Sequence, residues 1–599
     1  MRSLFSVKDS PWRTPVVFFV LGVIYCGLNA FKPIQIDDAA YYYFARQFEH
    51  EPLNPYGFML LWYEVPNYAN SILAPPVLAY TWALALKVCG DSPLLCKLLL
   101  LPWSLLFVFG LHGLMRRFAP GWETPLTVFT VFSPAVLPSL NLMLDVPALG
   151  LSLSAIHIFL RACDEDDLGR AVLAGLLAAL AIETKYTGFV APAAMVIAGA
   201  LYGRWRLIPA AVLTTAQVFV CWELLTALGA LSYPPDYPGH GRSHFFYQVA
   251  GQSLVASDGG LPSKVGALVE EKQVFLPVLF TVVGSVAPAL IVLGLAALGV
   301  GRRGLIVAAA LLLVGILAIA LDYGQFGGVV QAWLESMRQG IHFVWEFKLS
   351  DAVFFVYGLA AFAVWIVIGL QLLWPVRGER RPGATDIARQ PTIFLLLWLG
   401  LEIGGYFMMT PFPAVRRVLG IVVVATLLTA ELLARAKLAP AEPRAVRVIV
   451  AGGVVLGCLY FALDFWNARA QQLAANEAAD WIAAHGGQRV WYMGHWGFQY
   501  YAEHRGMKAV FDSRYGGEHI EPGDYLVVPD QPHNQQSILL DQRNLVEEHV
   551  VVEQDFIPLR TVSNYYGGTA ALEHQDGPRL TVRVYRVVAG FDPKPIPAP

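Results

Sequence analysis

Between residues 16 and 463 the chain returns repeatedly to apolar runs long enough to cross a membrane as helices. A hydrocarbon core of ~30 Å takes about 20 helical residues, and within it every peptide group must find its partner inside the protein. Composition agrees: 56% of the 599 residues are hydrophobic and 15% charged, against about 25% charged in soluble domains. The chain is read as mainly α, a polytopic α-helical membrane protein.

The first run, near 16–33, follows Arg2, Lys8 and Arg13 and has no small-residue cleavage site, so it reads as an uncleaved span with a cytoplasmic N-terminus. Basic clusters at Arg116-Arg117, at Arg161 and Arg170, and at 203–206, Arg302-Arg303, 376–389 and 435–447 belong inside by the same charge rule. The later spans then fall near 94–115, 124–144, 146–162, 169–183, 188–203, 207–229, 276–299, 305–321, 352–374, 391–409, 418–434 and 448–463, about thirteen crossings in all. That parity requires the apolar run 72–90 to lie at the outer face within one long external loop, 34–93; the alternative is a fourteenth span. Further external segments are 230–275, 322–350 and the tail. In 322–350, Trp333, Phe343 and Trp345 suit an interfacial amphipathic helix.

The tail, 464–599, changes character and is expected to form a small extracytoplasmic α/β domain after the membrane module 1–463. "NEAADWIAAHG" and "HWGFQYYAEHRG" read as helices, and "RVWYMG", "KAVFDS", "DYLVVP" and "RLTVRVYRV" as strands. It holds no glycine-rich phosphate loop, metal-ligand cluster or nucleophile elbow, so its expected role is acceptor positioning or shielding. The six cysteines all lie in or beside apolar runs and suggest no disulfide framework. A formal net charge of −3 selects no partner class, and nucleic acid is not expected among the partners.

In "IQIDDAAYYYFARQF" two carboxylates, Asp37 and Asp38, precede a helical pattern with Ala40, Tyr43, Phe44 and Phe48 on one face. An Asp there can cap the helix. Two together repel unless a cation or donors compensate, and one could act as a base while the other orients. Asp145 in "LNLMLDVPAL" either caps the helix beginning at Pro147 or belongs to the same external cluster. Lys185 in "ETKYTGF" either snorkels or binds a lipid phosphate. Arg416 and Arg417 in "PFPAVRR" fall outside by parity, against the charge bias. Ionisable groups at membrane depth are costly and point to function. His240 and His244 in "HGRSH" have a spacing that could ligate metal on a helix, but Gly and Pro around them oppose one.

The acidic pair after the first span, the Pro-Pro element at Pro75-Pro76, "LDVPAL" and "TKYTG" resemble bacterial GT-C glycosyltransferases related to protein O-mannosyltransferases and to the lipid A aminoarabinose transferase. The likeness covers about residues 10–230 and, more loosely, "RRVLGIVVVATLL" at 416–428. It implies the GT-C fold, with a first external loop carrying the acid pair beside the catalytic centre and a sugar donor on a polyprenyl phosphate. Asp37 then matches the catalytic acid, Asp38 its neighbour, Asp145 the second aspartate and Lys185 the lysine of the "K-[YW]-T-G" element. The usual His-Pro-Pro reads "APP" here, with Ala74 in the histidine place; His240 or His244, with Tyr186, could supply acceptor contacts instead.

On that resemblance the expected reaction moves a single sugar to an acceptor hydroxyl, with inversion and an aspartate general base. Asp37 takes the proton, Asp38 and Asp145 orient acceptor or sugar, and Lys185 with Arg416 or Arg417 holds the departing phosphate. No cofactor is required, although a divalent metal on Asp37, Asp38 and Asp145 is possible. Expected partners are the lipid-linked donor, a glycan, lipid or protein acceptor, and the bilayer. The expected location is a bacterial inner membrane with the C-terminal domain periplasmic. Rival readings are a lipid-linked oligosaccharide ligase or polymerase and a lipid-linked sugar flippase, although no internal repeat of the transporter kind is evident.

Overall fold

The computed structural model describes residues 13–62, 64–72, 75–251, 272, 275–322, 348–374, 389–410, 412–435, 442–530, 534, 536–561, 566 and 568–596. Ala74, the expected interfacial helix with Trp333, Phe343 and Trp345, and nearly all of the basic loop 376–389 lie outside them.

Seven described helices are each long and apolar enough to cross a membrane, and eight crossings result if one bent pair counts as a single span. That pair, Phe275–Val286 and Pro288–Ala297, bends by 82°, as expected where a proline lacks the N–H of the preceding turn and restricts the residue before it. Other expected crossings are shorter helices. The clearest departure is the expected span 124–144, which is helical only over Glu123–Val131. Pro134 and Pro138 stop it, and residues 132–144 continue as turns buried in protein. Their carbonyls accept side-chain bonds from the first helix and the residues after it: Tyr25 Oη to Val136 O (2.9 Å), Asn29 Nδ2 to Leu137 O (3.0 Å) and Lys32 Nζ to Pro138 O (2.7 Å). Irregular backbone at this depth survives because it is satisfied internally.

Two ends of the bundle are distinguishable. Helix Leu101–Phe118 and helix Asp145–Glu165 finish together, where Arg117 pairs with Asp164 (Nη2 to Oδ1, 3.0 Å) and Arg204 Nε donates to Cys163 O (2.7 Å). Twenty-one residues at about 1.5 Å each carry Asp145 to the opposite end. The apolar run 72–90 forms helix Pro76–Cys89, of 14 residues, too short for a ~30 Å core. It lies antiparallel on helix Asp38–His50, with Tyr80 Oη donating to Pro52 O (2.5 Å) at one end and Asp91 pairing with Arg46 (2.7 Å) at the other. A two-stranded hairpin, β1 (Met59–Leu61) with β2 (Pro66–Tyr68), completes this loop.

The expected boundary at 463/464 falls inside one continuous helix, Glu442–Ala484, which carries the chain from the bundle directly into the C-terminal domain. That domain holds a five-stranded sheet of order β4 (Lys508–Ala509), β3 (Val490–Tyr492), β5 (Tyr525–Pro529), β7 (Leu580–Val587), β6 (Leu545–Glu553). The first three strands are parallel and the rest antiparallel. Strand β6 was not expected from the sequence. Helix Trp496–His504 docks the domain on the first loop: Ile34 N donates to Tyr501 Oη (2.9 Å), Gln499 Nε2 to Leu61 O (3.0 Å), and Tyr43 Oη to Glu503.

Candidate functional site

Asp37 stands immediately before helix Asp38–His50 but caps nothing with its side chain. The residue before it, Ile36, has φ +47, a left-handed conformation that is costly for a β-branched side chain and tends to persist at functional sites. Asp37 instead pairs with Arg416, carried by the short turn Val415–Arg417 between helices Gln390–Met409 and Leu419–Arg435. Asp145, the first residue of its helix, pairs with Lys185 and lies 4.0 Å from Arg416. Lys185 ends helix Leu168–Thr184. Acid and base therefore alternate along one line, Asp37, Arg416, Asp145, Lys185, drawn from four separate segments.

Arg417 lies beside this line, its guanidinium 5.1 Å from the Phe412 ring centroid, and among the described residues its buried Nε has no hydrogen-bond partner. Three cations, Lys185, Arg416 and Arg417, thus stand against the carboxylates Asp37, Asp145 and Glu402. The cations face a cavity lined by Asp145, Lys185, Thr187, Arg416, Arg417 and Glu402 among others. Burial pulls Lys185 down to about 7, against the opposing pull of Asp145. Asp37 keeps 20% side-chain exposure and Asp145 only 4%, while it is Asp145 that lines this cavity.

Other expected members lie elsewhere. Asp38 turns away from the line into a separate buried network: it pairs with Lys97 (3.0 Å), and Gln35 N donates to it (3.3 Å). Burial raises its pKa. The three aspartates thus do not assemble a metal cage, and among the described residues no group of three His, Cys, Asp or Glu side chains does so. His240 and His244 share no ligand geometry. His240 Nδ1 meets Tyr233 O (2.8 Å), while His244 stacks on Tyr56 (4.2 Å) with Nδ1 at Asn70 Oδ1 (2.9 Å). Burial pushes His244 down to about 3, so it is neutral at physiological pH. Tyr186 packs on Phe245 (5.0 Å), beyond Lys185, while Thr187 takes the place on the cavity wall.

Sequence reasoning missed Glu402, Tyr406 and Thr410 on the wall. Glu402 accepts from Trp398 Nε1 (2.9 Å), and a lone carboxylate inside "LLLWLGLEIGGYFMM" is the signal that could have found it. It also missed Tyr566, whose carbonyl accepts from Arg416 Nε (3.2 Å); nothing local in the sequence announces that contact.

No curated protein matches the chain. Among solved structures, the archaeal oligosaccharyltransferase AglB of Archaeoglobus fulgidus, in complex with an inhibitory peptide and a dolichol-phosphate, aligns with a TM-score of 0.43 at 13% identity, over 87% of this chain and 70% of its own. ArnT of Cupriavidus metallidurans, bound to undecaprenyl phosphate, aligns with a TM-score of 0.36 at 12% identity, over 96% and 98%. Arabinofuranosyltransferase AftD from mycobacteria aligns at 0.38 and 14%, over 98% and 40%. Residues 74–226 match the family described as dolichyl-phosphate-mannose-protein mannosyltransferase, so over this segment, which spans the apolar helix after Pro75, Asp145 and Lys185, the chain is similar to the GT-C glycosyltransferases its motifs resemble.

Proposed function

We propose that the chain is a membrane glycosyltransferase that moves one sugar from a polyprenyl-phosphate donor to an acceptor hydroxyl, inverting the anomeric centre, with Asp37 as general base. The observation that carries this reading is the convergence of Lys185, Arg416 and Arg417 on one cavity, where the buried Nε of Arg417 has no hydrogen-bond partner among the described residues. A phosphodiester donor brings one negative charge. On transfer the acceptor oxygen bonds the anomeric carbon, the bond from that carbon to the phosphate oxygen breaks, the hydroxyl proton passes to Asp37, and charge grows on the leaving phosphate. Fixed cations aimed at developing charge lower such a barrier, and the transition state is oxocarbenium-like as in other glycosyl chemistry.

In this reading Arg417 and Lys185 hold the phosphate, while Arg416 fixes Asp37 relative to Asp145. Asp145 orients the sugar or the lysine. The line of charges needs no divalent metal to meet the donor. Residues 1–463, with the loop 34–93, form the transferase module of a multi-pass inner-membrane protein; residues 464–599 lie on the periplasmic side. The match of residues 74–226 to a family described by a dolichyl-phosphate sugar supports the donor class.

Transfer of radiolabelled sugar from a panel of polyprenyl-phosphate sugars by purified protein tests the proposal. Asp37→Asn is expected to lower turnover by about 10²–10⁴-fold, the usual contribution of a general base, with chelation of divalent metal having no effect. Full turnover in the variant removes Asp37 from that role. Turnover only with oligosaccharide donors selects the ligase reading.

A further inference from the structure

One side chain of the C-terminal domain enters the junction between the two segments that carry Asp37 and Asp145. Tyr566 is 3% exposed. Its hydroxyl donates to Asp464 Oδ2 (3.0 Å) and accepts from Gln35 Nε2 (2.8 Å) and Asn141 Nδ2 (3.0 Å). A hydroxyl has one proton and two lone pairs, so its capacity is filled. Gln35 stands two residues before Asp37, and Asn141 four before Asp145. Asp464 is itself fixed by Lys32 (2.8 Å), with both side chains fully buried.

The same residue reaches the site through its main chain, where its carbonyl accepts from Arg416 Nε (3.2 Å). A guanidinium is a rigid planar fork, so holding Nε determines where Nη1 points. Nη1 is the atom that meets Asp37 and, at 4.0 Å, Asp145. A tyrosine that merely closed a domain interface would need one of these bonds. This one ties its ring to the backbone neighbourhoods of both aspartates and its carbonyl to the cation between them.

We infer that Tyr566 is a positioning residue for Arg416, so that the C-terminal domain sets the geometry of the acid line rather than only covering it. The kinetic consequence rests on the transferase reading above; the structural consequence does not.

The experiment uses the full chain and Tyr566→Phe. Turnover is expected to fall about tenfold with the donor KM changed less than about twofold, the pattern of a misplaced catalytic group. In an Arg416→Lys background the same substitution is expected to add no further loss, because the fork it orients is gone. Independently of activity, hydrogen exchange is expected to rise in peptides covering 34–38 and 412–418 while 580–587 keeps its protection. Unchanged exchange in both peptides, undiminished turnover, or an equal loss in both backgrounds overturns the inference. Raised exchange in a protein that transfers no sugar from any donor leaves the positioning in place and sinks the transferase reading. Should Tyr566→Phe not fold, Asn141→Leu removes a hydroxyl partner from the other side and is expected to raise exchange at 412–418; no rise overturns the inference.

Discussion

Lys185 shows how far a single residue could be read from sequence. A lysine between two apolar helices offered two readings, a snorkelling tail or a phosphate ligand, and spacing could not choose between them. The structure gives it a partner that neither reading named: Asp145 pairs with it at a buried site, a contact that joins segments forty residues apart, and phosphate binding stays the proposal. Arg416 and Arg417 were legible as a pair but not as two different environments, one paired with Asp37 and one whose Nε has no partner among the described residues. The lysine carries a pH prediction. With its pKa drawn down to about 7 by burial, the charged form that attracts phosphate prevails below that pH and is lost above it. A sugar phosphodiester keeps its single charge across the range. Donor affinity of the turnover-deficient Asp37→Asn protein, measured by titration calorimetry, is therefore expected to weaken as pH rises from about 6 to 8. Lys185→Arg, always protonated, is expected to flatten that dependence. An unchanged slope in the arginine variant removes Lys185 from phosphate binding.

At the scale of elements, hydropathy located most helices but missed where one fails. Residues 124–144 are apolar enough to span, yet Pro134 and Pro138 divide them, and the turns that follow are tolerated only because Tyr25, Asn29 and Lys32 reach across to their carbonyls. Those donors belong to the first helix and the residues just after it, more than a hundred residues away, and no local pattern displays them. Asp464 was likewise invisible, lying where the sequence placed the boundary between membrane and domain; in the structure it sits within helix Glu442–Ala484 against Lys32. Removing one member of a fully buried pair leaves the other charge unpaired, a loss of about 3–5 kcal/mol. Asp464→Leu is expected to shorten the half-life of the folded protein in detergent at fixed temperature by orders of magnitude. Lys32→Met added to it is expected to restore part of the loss, since it removes the unpaired charge but also the bond from Lys32 Nζ to Pro138 O. A double variant no more durable than the single one denies that the pair is coupled.

The whole molecule is organised by two opposed ends, and this was the part most legible in the chain, because the distribution of Lys and Arg is a global property rather than a contact. Arg117, Arg161, Arg170 and Arg204 gather at one end, with Arg117 and Arg204 held to Asp164 and Asp166. Asp37, Asp145, Lys185 and Arg416 meet at the other, where the C-terminal domain docks on the first loop through Ile34 and Tyr501. Sequence could not show that docking, since it depends on a surface formed by both partners. By the charge bias the first end is expected in the cytoplasm, which would open the domain and the site outside. Single cysteines separate the two orientations. Phe556 is fully exposed on the domain and Trp205 is exposed in the basic loop 203–206. In a Cys89→Ser background, a membrane-impermeant maleimide is expected to label Phe556→Cys in intact spheroplasts and Trp205→Cys only after permeabilisation. The reverse pattern would put the cavity on the cytoplasmic side, where an acceptor could not be a periplasmic glycan or an exported protein. Labelling of both cysteines before permeabilisation would break the parity argument, because an odd number of crossings must separate residue 205 from residue 556 for the site and the basic loops to face different compartments.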